Sequence, residues 1–455
     1  MMTDITVVNF FLHHPPNGGA YACIPMGTLY LCSAAEQAGY SVDFLDYQHQ
    51  TAENPYSPQA VCNFLEQARS DVIGIGCMTN MLPFLLCGLR LFKKKRPQSY
   101  VILGGSGPSG VAPEILTSFG AEVDAVVAGE GEQAIIEILE ARRGKKTWDS
   151  ILGLIYKPNG AVQKNPTRPR RFDVDTIPYP AYHHLDRSKY LNFPVLTARG
   201  CPYRCTFCDI APNWDRLVGQ RSIDSVLEEI ETLQSKYSAS FISILDDVFV
   251  LNRKRVTAFC QRVIETGMNF HWSCMCRADL LDDKLIELMY ASGCRKIFLG
   301  IESGSSRVRN LAGKGLKIDN VEEVIAKTSR HFEVTASFIM GFPFESIEEF
   351  HETLLLQMYC IDQGAKPQMS ILSPLPQAEL TSDETFKKEF HPELVSGMVF
   401  PRYQERARRL LLNVLTPEIQ ELIRSHPKIF SAFYYFTEGR VGEKLELAMQ
   451  YGMRI

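Results

Sequence analysis

Over its first 145 residues the chain repeats one pattern: a short run of Val, Ile and Leu that closes on Gly or a small polar residue, then a stretch with helical spacing. "DITVVNFFL", "SVDFLDY", "VIGIGCM", "YVILGGS" and "VDAVVAGEGE" read as strands, and "MGTLYLCSAAEQAGY" and "SPQAVCNFLEQARS" as helices between them. The runs are nearly continuous in apolar residues and do not alternate with polar ones. That predicts strands buried on both faces, hence a parallel sheet with helices on each side. The fold class expected is α/β, with an N-terminal Rossmann-like, doubly wound sheet. Ligands of such sheets sit beyond the carboxyl ends of the strands, where the Gly-rich loops fall.

A Pro- and Arg-bearing stretch, "YKPNGAVQKNPTRPRRFDVDTIPYPAYHHL", interrupts the pattern and reads as a hairpin and linker over 146–190. A second βα series then runs over 191–384: "FPVLTARG", "SFISILDDVFV", "FHWSCMCRADL", "KIFLGIESGS", "VTASFIMGFPFES" and "PQMSILSPLP". Six strands with helices between them, such as "IDSVLEEIETLQSKY" and "RKRVTAFCQRVIETG", suit a partial (β/α)6 barrel, whose active site lies at the carboxyl ends of its strands. Residues 385–455 read as a C-terminal helical extension capping the barrel, with "FPRYQERARRLLLNVL" and "IFSAFYYF" as its apolar parts. A chain of 455 residues accommodates such a plan.

The net charge of −4 and pI of about 6.2 give no electrostatic reason to expect nucleic acid or an anionic membrane as a partner. No apolar run is long enough to span a bilayer, and "MMTDITVVNFFLHHPP" lacks a basic region and cleavage site, so the expected location is the cytoplasm. In that reducing compartment the 13 cysteines are expected to be free thiols, and a tight cluster points to a metal site.

One such cluster exists. Cys201, Cys205 and Cys208 follow "FPVLTARG" directly, with C-x3-C-x2-C spacing, in the first loop at the catalytic end of the second series. Thiolates are the usual ligands of iron–sulfur clusters, and three would leave one iron of a four-iron cluster open for chemistry. Burial as three separate small hydrophobes is the plain alternative, but "GCPYRC" is a Gly/Pro loop with an Arg. Zinc is the other; it wants a fourth Cys or His, and none follows Cys208 within twenty residues. Cys260, Cys274, Cys276, Cys294 and Cys360 are scattered and read as core, with no second cluster.

"RGCPYRCTFC" at the end of a first barrel strand resembles the signature of radical S-adenosylmethionine enzymes, and the order of elements over 193–380 agrees. The resemblance implies a [4Fe–4S] cluster on Cys201, Cys205 and Cys208, with S-adenosylmethionine on its open iron, and Phe207 in the aromatic position between the cysteines. It implies Asp246 and Asp247 of "ILDDVF" as catalytic residues pointing into the site; helix capping before "LNRKRV" is the alternative for both, and an equal reading for Asp247. It also implies Arg277 of "CRADLL" on the methionyl carboxylate, Glu302 and Ser303 of "LGIESGS" on the ribose or amino group, and Gly341 and Glu345 of "IMGFPFES" near the adenine. A surface ion pair is the alternative for Glu302. Where related chains carry a Pro-Gly-Thr turn after the sixth strand, this one reads "PLPQAEL", with Gln377 in the place of Gly.

The N-terminal part is similar to the cobalamin-binding domains that precede many of these barrels. Gly104, Gly105 and Ser106, and Gly129, Glu130 and Gly131, allow close backbone approach of a ligand after two strands. The resemblance places Cys77, Met78, Thr79 and Asn80 of "CMTNML" below the corrin. "DYQHQT" lacks the spacing of a cobalt-binding D-x-H-x-x-G, so His49 reads as a loop histidine. A fold kept without its ligand is the alternative. The implied activity is a cobalamin-dependent C-methylation: the deoxyadenosyl radical removes hydrogen from a small molecule, and the substrate takes methyl from methylcobalamin. A non-methylating rearrangement, cyclisation or ring contraction, a radical enzyme with an empty B12 domain, and an iron–sulfur electron carrier are the rivals. An external reductant such as flavodoxin or ferredoxin is implied, and the protein is expected to act as a monomer.

Overall fold

The computed structural model describes residues 3–12, 23–171, 173–190, 192–316, 320–394 and 414–452. Five strands, β1 (Ile5–Phe10), β2 (Val42–Asp46), β3 (Val72–Cys77), β4 (Tyr100–Gly104) and β5 (Ala125–Val127), form a parallel sheet in the order β2-β1-β3-β4-β5. Every residue of β1 is buried, as expected of a strand covered on both faces. The helix Pro58–Leu65 starts where Ser57 Oγ accepts from Ala60 N–H and Pro58 takes the first helical position.

The hairpin of β6 (Leu154–Tyr156) and β7 (Gln163–Lys164) does not stand apart as a linker. It pairs antiparallel with β5 and extends the N-terminal sheet to seven strands. All three β6 side chains are buried, so this edge gains by joining the core.

The second sheet has six parallel strands in sequence order: β8 (Phe193–Val195), β11 (Phe241–Ile244), β12 (His271–Cys276), β13 (Cys294–Glu302), β14 (Glu333–Met340) and β15 (Lys366–Ile371). This is the partial barrel the sequence predicts. Between β8 and β11 lies a two-stranded antiparallel ribbon, β9 (Ala198–Arg199) with β10 (Gly219–Gln220), which carries the cysteine loop. Cys260, Cys274, Cys276 and Cys294 are buried in the barrel core, with the sulfurs of Cys274 and Cys276 3.5 Å apart.

The C-terminal stretch, expected as a helical extension capping the barrel, packs on both halves of the molecule. Its helix Pro417–Ser425 places Ile419, Leu422 and Ile423 in the N-terminal core. Its last helix, Val441–Gln450, packs on the barrel through Val441 and Ala448. Between them β17 (Tyr434–Phe436) pairs with β16 (Lys388–Phe390). An i, i+3, i+4 apolar stripe on a short helix needs a partner surface, and here both halves of the molecule supply one. "FPRYQERARRLLL" lies outside the described residues. Among the described residues no helix is long and apolar enough to cross a membrane.

Candidate functional site

The carboxyl ends of the two sheets face one cavity of about 500 Å³. From the N-terminal sheet it is lined by Gly76, Cys77 and Met78 after β3, by Gly104, Gly105 and Ser106 after β4, and by Gly129, Glu130 and Gly131 after β5. From the barrel come Leu196, Arg199, Gly200, Trp214, Leu245 and Asp247. The floor is tight. On the wall a Cβ on Gly76 would sit 2.7 Å from Thr28 Cγ2, and just behind it one on the buried Gly107 would sit 2.6 Å from the Met78 carbonyl carbon. Gly105 has φ +94, which only glycine adopts without strain. Thr79 and Asn80 are buried behind this wall and do not line the cavity, which corrects their expected place under a corrin. A short 3-10 turn at Thr79–Met81 turns them inward. A deep, largely apolar cleft floored by glycines fits a large planar ligand whose edges approach the backbone.

The cysteine loop leaves the cavity edge at Gly200, and its three cysteines are not themselves part of the cavity lining. Cys201, Cys205 and Cys208 are half-buried free thiols. Burial raises all three thiol pKa values, that of Cys208 to about 12, while the Ile210 and Ala211 N–H groups oppose the rise at Cys208 and Tyr203 N–H opposes it at Cys201. Backbone donors aimed at buried sulfurs suit thiolates that carry charge into a cluster. Among the described residues, the group of three or more metal-capable side chains whose ligand atoms all lie within 4.8 Å of one another is Glu36, His183 and His184, not the three cysteines. The three sulfurs do not all lie within that distance of one another. The loop is fixed by Thr206 N–H donating to Ala312 C=O, 2.9 Å, and by Gly200, where a Cβ would meet Leu217 O at 2.1 Å.

The two aspartates part company. Asp246 is buried and faces away from the cavity: one oxygen accepts Thr197 N–H and Ala198 N–H at 2.6 and 2.9 Å, and the other accepts the Thr197 hydroxyl. Its expected role toward a substrate is corrected to that of an anchor for the strand leading into the cysteine loop. Asp247 lines the cavity, and burial, with Asp246 adding to it, pushes its pKa up to about 6. Neither caps the following helix; Asn252 does.

Arg277 is buried with its fork engaged. Nε and Nη2 donate to Asp279 at 3.1 and 3.2 Å, Nη2 also reaches Lys314 C=O at 2.8 Å, and the guanidinium stacks 3.7 Å over Tyr203 of the cysteine loop. Glu302 accepts from Lys314 Nζ at 2.7 Å, both nearly buried. It sits at φ +72 at a bulge of β13, a strained position for a residue with a side chain. The surface ion pair considered for Glu302 is thus a buried one. Lys314 also lowers the Cys205 pKa, and the motif reading did not find it. A lone Lys between two glycines carries no signal in sequence.

Ser303, Gly341 and Glu345 are packed inside the protein. Ser303 Oγ bonds Thr353 at 3.1 Å and Glu345 at 3.4 Å. Glu345 pairs with Lys444 Nζ of the last helix at 2.7 Å, both side chains 0% exposed. The close approach that Gly341 permits (φ +94) is taken by the chain itself: a Cβ on Gly439 would meet Gly341 O at 2.3 Å. Phe207 packs edge-on against Phe342, 5.6 Å between ring centroids. Across the cavity, Arg199 bridges the halves, donating to Glu130 at 3.3 Å and Glu132 at 2.7 Å with its guanidinium 4.7 Å over Tyr30. Glu130 therefore serves this bridge at the cavity edge. His49 bonds the Tyr190 hydroxyl at 2.8 Å, the loop role expected of it.

The family model of the radical SAM superfamily matches residues 195–356, and that of the B12-binding domain matches residues 19–139. An uncharacterised methyltransferase of Pyrococcus horikoshii is 31% identical over 364 residues, covering 78% of this chain and 77% of that protein. The anaerobic magnesium-protoporphyrin IX monomethyl ester cyclase of Rubrivivax gelatinosus is 28% identical over 374 residues, 78% of this chain and 65% of the cyclase. In fold, the chain matches the radical S-adenosylmethionine methyltransferase TsrM of Kitasatospora setae, solved with cobalamin and a [4Fe–4S] cluster bound. The TM-score is 0.65 at 18% identity, over 83% of this chain and 77% of that one. The cysteine loop at the first barrel strand, the glycine-floored cleft opposite it and these matches agree: the chain belongs to the radical S-adenosylmethionine superfamily and carries a B12-binding domain ahead of its radical domain.

Proposed function

We propose that the protein is a cobalamin-dependent radical S-adenosylmethionine methyltransferase acting on an unactivated carbon of a small molecule. The observation that carries this is the shared cavity, where the glycine loops of the B12-binding half face the strand ends of the barrel, with Asp247 on the wall and Gly200, the residue before the cysteine loop, at its edge. When bound, the cluster with S-adenosylmethionine would supply one-electron chemistry at carbon, and the corrin a transferable methyl group.

This chain's residues do the rest. Cys201, Cys205 and Cys208 would hold the cluster. Phe207, Arg277 and Glu302 would border the S-adenosylmethionine, with Lys314 neutralising Glu302 and Asp279 orienting Arg277. Ser303, Gly341 and Glu345 would act from behind, by fixing the loops that carry these contacts. Gly104, Gly105, Ser106, Gly129 and Gly131 would admit the corrin edge, with Cys77 and Met78 beneath it. Trp214, Leu245 and Met78 give the cavity apolar walls that exclude water. Asp247, on the cavity wall, would hold or take up a proton there. We further propose an external flavodoxin- or ferredoxin-type reductant, a monomeric state and a cytoplasmic location.

Anaerobic reconstitution with iron, sulfide and hydroxocobalamin tests the reading. It expects a corrin spectrum that survives gel filtration, and S-adenosylhomocysteine together with 5'-deoxyadenosine once S-adenosylmethionine, reductant and substrate are added. Loss of all corrin on the column would favour an empty B12 domain. The cyclase relative supports a second reading, a non-methylating ring closure. A product without the mass of one added methyl would decide for it.

A further inference from the structure

We propose that Glu36, His183 and His184 form a site for a divalent transition ion, zinc by the chemistry of its donors. The ion would staple the helix Met26–Gln37 to the segment leading into the barrel. Glu36 Oε1 lies 3.2 Å from His183 Nε2 and 2.7 Å from His184 Nε2, and the three ligand atoms all fall within 4.8 Å of one another. Adjacent residues on a turn ordinarily point apart. Here both rings of the turn Tyr182–His184 aim the same nitrogen at one carboxylate, with their centroids 4.5 Å apart.

Zinc bonds of roughly 2.0–2.2 Å in a tetrahedron separate ligand atoms by about 3.3–3.6 Å; Glu36 and His183 stand near that separation, and the Glu36–His184 hydrogen bond would open by under about 1 Å to admit the ion. Two imidazoles and a carboxylate are a zinc donor set, and copper or nickel would compete for it. Glu36 stands in the last turn of its helix, against the negative end of the helix dipole, where a bound cation is favourable. His184 is held at 18% exposure with its ring 5.9 Å from Phe44, whereas His183 is 61% exposed and leaves the remaining coordination to water. None of the three residues lines the cavity between the two halves, so the ion would act on the junction and not on the radical chemistry.

The test titrates tag-free, as-purified protein with zinc alone against a chromophoric chelator under anaerobic conditions. Wild type and C201A/C205A/C208A are each expected to hold one zinc at submicromolar affinity. Loss of an outer partner alone costs about 10–100-fold in metal affinity, so Glu36→Gln and His184→Asn should weaken binding by at least about 100-fold. Those substitutions keep shape and hydrogen bonding. Wild type that holds no zinc at micromolar concentration overturns the proposal, because the trio is then an ordinary ion pair. Zinc lost in the cysteine variant and kept in the other two also overturns it. Cobalt in place of zinc gives a spectroscopic readout. The same titration of C201A/C205A/C208A with cobalt isolates the site: ligand-field bands without a thiolate charge-transfer band support it, and the absence of ligand-field bands in that variant refutes it.

Discussion

The two loop sets that face the cavity prepare for their ligands in opposite ways. The barrel side works through side chains: Asp247 on the cavity wall, the three thiols of the loop that starts at Gly200, and the Arg277–Asp279 and Glu302–Lys314 pairs around that loop. The N-terminal side presents missing side chains: a Cβ on Gly76, Gly105, Gly129 or Gly131 would press on Thr28, the Cys77 backbone, Arg170 or Leu31. One region works through donors, which substitution deletes. The other works through space, which substitution fills. The difference teaches which kind of change each region tolerates.

The sharpest way to break the comparison is at the donors. C201A/C205A/C208A should lose the cluster and lower 5'-deoxyadenosine formation below detection, read by iron and sulfide analysis and chromatography. It should still retain cobalamin, since the glycine floor is untouched. Next comes the support beneath the donor side. Lys444→Met leaves Glu345 buried without its partner, and breaking such a pair costs about 3–5 kcal/mol, visible as a lower thermal midpoint. Adding Glu345→Gln should recover part of that loss, because two neutral groups pack better than one orphaned charge.

On the side that works through space, Gly107→Ala pushes a methyl to 2.6–2.7 Å from Met78 C and Thr79 N. Corrin retention should fall by an order of magnitude or more with iron content unchanged. Gly39→Ala, with nothing within 4 Å but φ +84, serves as the control for strain without collision. The smallest effect is electrostatic. The Arg307 hydrogen bond holds the Glu349 pKa down at about 2, so its stabilisation is present above the ordinary pKa of 4.5 and fades as pH falls toward 2. Arg307 is more than half exposed, and Arg307→Gln should cost no more than about 1 kcal/mol at neutral pH. It should also raise the acid-unfolding midpoint, measured by circular dichroism.

How much of this was legible depended on range. Cys201, Cys205 and Cys208 were readable because their spacing is local and the strand before them is a plain apolar run. The sheets were readable for the same reason: the parallel strands declare themselves within three to nine residues each. The two aspartates were not separable in sequence, because adjacent residues at a strand end face opposite ways and nothing local says which one faces the cavity. Gly341 was legible as a site of close approach, but its neighbour, Gly439, stands 98 residues later. The bridge from Arg199 to Glu130 and Glu132 joins residues 69 and 67 apart. The carboxyl-terminal stretch showed its apolar stripes and gave no sign that one serves the N-terminal core and the other the barrel.

The sequence alone therefore determined the βα rhythm, the cysteine loop and the glycine loops, because hydrophobic burial and backbone freedom act over a few residues. Only the tertiary structure decided which carboxylate meets the cavity, which cation neutralises Glu302 and Glu345, and which glycine is filled by the chain itself. Those outcomes rest on pairing between distant charges and on packing between distant surfaces. Both are set by how the two sheets come together, and no short stretch of residues records that.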